Sequence, residues 1–91
     1  MTNQLNLDNE LRTGDIVGDT KRTVLVATKK RDRVPGDSYA VWVAICYEET
    51  ATHPYVVWDV IARPEGFVAE HGYYAYTMTQ AFNDYSKRGG Q

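Results

Sequence analysis

The chain predicts an α+β fold: an antiparallel sheet of three to five strands with a C-terminal helix packed on one face. Three observations lead there. Four segments, 22–30, 39–48, 55–62 and 67–76, are rich in β-branched and aromatic residues and are bounded by polar turns. After Tyr76 the apolar period lengthens to that of a helix. The whole chain is 91 residues, which makes a single small domain, 1–91. A chain of this size buries only about 60% of the surface its unfolded form exposes, so each apolar face matters.

The first element is the least determined. Residues 1–21 are polar, broken by Leu5, Leu7, Leu11, Ile16 and Val17. The spacing of Leu7 and Leu11 fits a short helix over about 4–12. A loose arm fits equally, and 14–20 can form a short strand and turn. "RTVLVATKK", 22–30, is β-branched and reads as the first strand. Pro35-Gly36-Asp37 then supplies turn chemistry.

"YAVWVAICYE", 39–48, is apolar on both faces, with Tyr39, Val41, Val43, Ile45 and Tyr47 alternating with Ala40, Trp42, Ala44 and Cys46. Such a strand is central and covered on both sides. "YVVWDVIA", 55–62, and "FVAEHGYYAY", 67–76, flank the tight turn "RPEG" as a hairpin. A symmetric register places Ala62 by Phe67, Val60 by Ala69, Trp58 by His71 and Val56 by Tyr73, all on one face. That face is expected to carry the helix, leaving Asp59 and Glu70 to water. A bulge at Gly66 would shift these pairings, and Gly72 inside a strand marks a bulge or a close approach of another segment.

Thr77 and Gln80 have the spacing of a capping box. Met78, Ala81, Phe82 and Tyr85 fall on one helical face. Lys87 and Arg88 suit the negative end of the helix dipole, and Gly89 follows as a terminating residue. The helix is therefore expected over about 78–88.

Composition narrows function. The net charge is −2, without the basic excess typical of nucleic-acid-binding domains. The single Cys46 allows neither an intramolecular disulfide nor a cysteine zinc cluster and fits a reducing compartment. No stretch approaches the roughly 20 apolar residues of a membrane span. The first residues lack the basic start and apolar core of a signal peptide, so the cytoplasm is the expected location. The nucleophile-elbow, zinc-protease and phosphate-loop motifs are missing. No catalytic residue, cofactor or metal is expected. His71 reads as packed at the core margin near Trp58, and His53 as solvated before Pro54, at different levels of the sheet.

Two features suggest binding. Lys29, Lys30, Arg31 and Arg33 form the one basic cluster, on a loop between strands. There it either contacts nucleic acid or stays solvated and guards a strand end. Tyr39, Tyr47, Tyr74 and Tyr76 are the other feature. One helix covers only one face of a sheet, so a second face bearing Tyr39, Val41, Val43, Tyr74 and Tyr76 needs a cover. Residues 1–17, a partner protein or a second copy in a two-fold dimer would supply it. Tyrosine is a common interface anchor, which favours a protein-binding role over the nucleic-acid alternative.

Trp58, the Pro64-Glu65-Gly66 turn, Gly72-Tyr73-Tyr74, Ala81, Phe82 and Arg88 resemble small proteins encoded by phages and other mobile elements of Gram-positive and actinobacterial hosts. The resemblance spans about 54–89 and excludes the basic cluster. It implies a ββα unit and a setting: an accessory protein acting in a host cytoplasm on a host or defence component. Proteins in that setting, inhibitors of CRISPR systems among them, often work by occupying a partner's surface.

Overall fold

The computed structural model describes residues 10–17, 20–32 and 39–91. It is an α+β fold. Four strands, β1 (Thr23–Arg31), β2 (Ala40–Tyr47), β3 (Tyr55–Arg63) and β4 (Gly66–Ala75), precede one helix, α1 (Met78–Lys87). The sheet is antiparallel throughout, in the order β1-β2-β3-β4. The doubly apolar strand is central, as its sequence requires, and β3 is its inner neighbour. Each expected strand lies within a residue or so of its place.

The N-terminal segment is not helical where it is described, over 10–12; the rest of the expected short helix, 4–9, lies outside the described residues. Instead Ile16 bridges Thr23, and Gly14 and Asp15 exchange backbone bonds with Val24. This places Leu11 and Val17 among Trp42, Cys46, Val56 and Trp58, fully inside an apolar cluster. The arm thus covers one face of the sheet.

The helix covers the other face, opposite to the one expected. Ala81 and Tyr85 are buried against Val43, Ile45, Val57 and Ala75. The expectation that α1 packs on Trp58 and Val60 is therefore corrected, and the cause is Asp59. It made the Val57 side of β3 look wet. In the fold its carboxylate meets Lys30 Nζ and Arg88 Nη1, each at 3.4 Å, and Arg88 Nε also reaches Asp84 at 2.8 Å. Cations from β1 and from the C-cap of α1 neutralise Asp59, so a charged position sits beneath the helix. A half-buried pair of this kind adds little stability but sets which groups must meet.

The helix ends follow their sequence. Thr77 accepts from the Gln80 backbone while the Gln80 side chain accepts from the Thr77 backbone. Gly89 continues past the C-cap at φ 95°, a conformation that favours glycine. Phe82, expected in the core, is 48% exposed. Only Ala81 and Tyr85 of the four apolar helix residues are buried. The Tyr85 hydroxyl lies 2.6 Å from Thr28 Oγ1 and 3.2 Å from the Gln91 carbonyl, so a deep ring still has polar partners.

Candidate interaction surface

The hairpin register decides where the aromatic side chains go. Near the turn it is the symmetric one: Ala62 faces Phe67 and Val60 faces Ala69. A bulge then intervenes opposite Trp58, not at Gly66, and the strand resumes with Val57 opposite Tyr73 and Val56 opposite Tyr74. The expected Trp58–His71 and Val56–Tyr73 pairs are thereby replaced.

The extra residues are His71 and Gly72. His71 has φ 56°, left-handed backbone that is uncommon for a residue with a side chain, though histidine is among those enriched there. A Cβ on Gly72 would lie 2.6 Å from Trp58 Nε1, so the indole fills the space a side chain would need. Gly72 is thus both in the bulge and at a close approach. His71 is not packed near Trp58; its side chain is 75% exposed, with Nε2 3.9 Å from a Glu70 carboxylate oxygen.

The slip moves Tyr74 onto the arm-covered face and Tyr73 onto the helix-covered one. Tyr74 meets Trp58 edge-on with ring centroids 6.4 Å apart, and the Arg22 guanidinium lies 5.4 Å from its ring centre. Arg22 itself is buried and donates to the Pro54 carbonyl at 3.0 Å. That bond ties the turn before β3 to the strand start. His53, expected in solvent, is half-buried, its ring 4.3 Å from Tyr76 and 6.4 Å from Tyr74. Trp58, Tyr74, His53 and Tyr76 form a continuous chain of rings, whose outer members remain open: Tyr74 is 51% and Tyr76 62% exposed.

The expected single tyrosine face does not form. Val43 is buried under the helix. Tyr47 packs against Tyr55 at 5.2 Å, and Tyr39 lies under the Arg63 guanidinium at 5.6 Å, both half-buried. Tyr74 and Tyr76 stand apart from these two, by β4. The region from Tyr73 to Phe82 replaces that face. Tyr73, Tyr74, Tyr76, Met78 and Phe82 are five of the seven large apolar residues exposed among the described ones. Tyr73, Met78 and Phe82 were not singled out for binding. The period-two pattern of 67–76 hides Tyr73, because the bulge changes its face.

The basic cluster is also placed differently from a loop. Lys29, Lys30 and Arg31 belong to the end of β1, and Arg33 lies outside the described residues. Lys29 Nζ is 3.3 Å from Asp32 and 5.5 Å from the Trp42 ring centre, on the arm side. Lys30 reaches Asp59 on the helix side, and Arg31 donates to the Tyr39 carbonyl at 3.3 Å. Neighbouring cations thus diverge to opposite faces. Among the described residues, no group of three or more His, Cys, Asp or Glu stands close enough to hold a metal ion. No helix in the described residues is long and apolar enough to cross a membrane.

Cys46 lies in the arm-side cluster, and burial pushes its thiol up to about 12, with the Arg22 charge offsetting only part of the shift. A protonated, enclosed thiol is a poor nucleophile. Comparisons with protein-family models, curated proteins and solved structures gave no match to this chain.

Proposed function

We propose that the chain is a non-enzymatic protein-interaction module that binds through the exposed residues Tyr73, Tyr74, Tyr76, Met78 and Phe82. The observation that carries this reading is their concentration on one short stretch of chain, beside a sheet edge. Exposed aromatic groups held by a rigid scaffold are efficient anchors, because little side-chain freedom is lost on binding. His53 and Trp58 hold Tyr76 and Tyr74 from behind, which pre-organises them. The resemblance of 54–89 to mobile-element proteins supplies the setting: an accessory protein that occupies, and so inhibits, a host or defence component in the host cytoplasm. Lys29 and Lys30 are already paired with Asp32 and Asp59, which favours this reading over phosphate binding, where cations must be available to the ligand.

Affinity capture from host extract with the parent and a Tyr74→Ser/Tyr76→Ser variant tests the reading. The parent is expected to retain a protein that the variant loses, and retention should persist in high salt. A partner kept equally by both proteins, or one that is nucleic acid and is released steeply by salt, would overturn it.

A further inference from the structure

The two edges of the sheet differ. β1 carries two register irregularities, Val24/Val26 and Lys29/Arg31, and ends in cations, features that deter pairing with another strand. β4 has one irregularity and aromatic side chains on both of its faces. Its sequence around the bulge is complementary to itself when read in the opposite direction. We infer that β4 pairs antiparallel with β4 of a second copy about a two-fold axis between Glu70 and His71, joining two sheets into one of eight strands.

The bulge makes this register fit. Before it, Phe67 points to the arm-covered face and Val68 to the helix-covered face; after it, Tyr74 and Tyr73 take those faces. A two-fold pairing about Glu70–His71 sets Phe67 opposite Tyr74 of the second copy, and Val68 opposite its Tyr73. Each match lies on a common face. Without the extra residue the same register would set each side chain against one on the opposite face. An irregularity in an edge strand ordinarily discourages pairing. Here both strands carry it at the axis, so neither outruns the other.

The centre is complementary as well. Ala69 falls opposite Gly72, two small residues where the backbones approach most closely. Glu70 falls opposite His71, so the two-fold axis repeats a carboxylate–imidazole pair. Both side chains are exposed in the single chain, where they lie 3.9 Å apart. This also gives the left-handed His71 a use: its backbone strain presents a ring at the edge that packing inside the chain does not require.

The inference rests on the interaction reading above: the second copy takes the β4 edge, and Tyr76, Met78 and Phe82, beyond that strand, are left to the host component. Sedimentation velocity of the full chain over a wide concentration series should show a reversible monomer–dimer equilibrium. Glu70→Lys should weaken the dimer by about tenfold, since each dimer holds two such pairs. Glu70→Lys/His71→Glu should restore it by placing a carboxylate opposite each new lysine. Glu70→Cys should form a disulfide between copies on mild oxidation, with Cys46 enclosed and unreactive. A monomer at every concentration, or a dimer of equal affinity in Glu70→Lys without the cross-link, would overturn the second copy as partner. If a captured protein were still lost in Tyr74→Ser/Tyr76→Ser, the interaction reading would survive that failure.

Discussion

His71 and Gly72 show how much a single position can redirect. His71 holds a left-handed backbone at φ 56°, which costs about 1–2 kcal/mol for a residue with a Cβ. His71→Gly removes that cost but adds chain entropy on unfolding, so it should be neutral or stabilising by up to about 1 kcal/mol in urea titration. A clear loss would mean that the imidazole makes stabilising contacts. Gly72→Ala has the opposite expectation. Its Cβ would press on Trp58, and overpacking of this kind costs about 1–3 kcal/mol. The shift of Trp58 fluorescence should accompany the loss, and an unchanged melt and spectrum would contradict the close approach.

Cys46 gives a residue-scale reporter. Its thiol stays protonated up to about pH 12 in the fold, whereas the unfolded chain's thiol has an ordinary value of 9.0. Above the unfolded value, only the unfolded state has released the proton. This group's contribution to stability therefore falls as pH rises from the unfolded value towards the folded one, and is constant below that window. Labelling by a thiol reagent at neutral pH should follow global unfolding. Fast labelling of the native protein would show that the arm opens on its own.

At the scale of elements, the helix and the arm each hold one face, and their anchors are unequal. Tyr85 is fully buried and bonded to Thr28, whereas Phe82 is half-exposed. Tyr85→Ala should cost about 3–5 kcal/mol by analogy with other buried aromatic residues, and Phe82→Ala about 1 kcal/mol or less. Thermal melts of the two variants check this order, and equal losses would mean that Phe82 packs more deeply than described. On the other face, Leu11→Ala should cost about 2–5 kcal/mol, because the arm has few apolar groups and Leu11 is buried among the tryptophans. A negligible effect in denaturant titration would show that the arm is not the cover of that face.

At the scale of the molecule, the two apolar clusters share one sheet. Val43, Ile45 and Val57 face the helix, while their neighbours Trp42, Ala44, Cys46, Val56 and Trp58 face the arm. Neither face can lose its cover without exposing strands that support the other. Unfolding should therefore be a single transition, with tryptophan fluorescence from the arm side coinciding with helix loss in circular dichroism. Separate transitions would mean that the arm-covered face opens independently.

The sequence by itself determined the strands, the central place of 40–47, the hairpin turn, and both ends of the helix. These depend on local chemistry: period-two runs, the Pro64-Glu65-Gly66 turn, and a capping box whose partners are three residues apart; the Pro35-Gly36-Asp37 turn lies outside the described residues. Tertiary structure alone decided which face the helix takes, because 40–47 is apolar on both sides and offers no preference. Asp59 pointed the wrong way until Lys30 and Arg88, each 29 residues distant in sequence, were brought to it. The candidate surface divided in the same manner. The exposure of Tyr74 on the side away from the helix agreed with expectation only because two changes, the helix's face and the slip at the bulge, cancelled. Tyr73, Met78 and Phe82 were missed, and Tyr39, Tyr47, Lys29, Lys30 and Arg31 dispersed. A bulge is set by how one indole fits against one glycine across a strand pair, and no periodicity along a single chain records that contact.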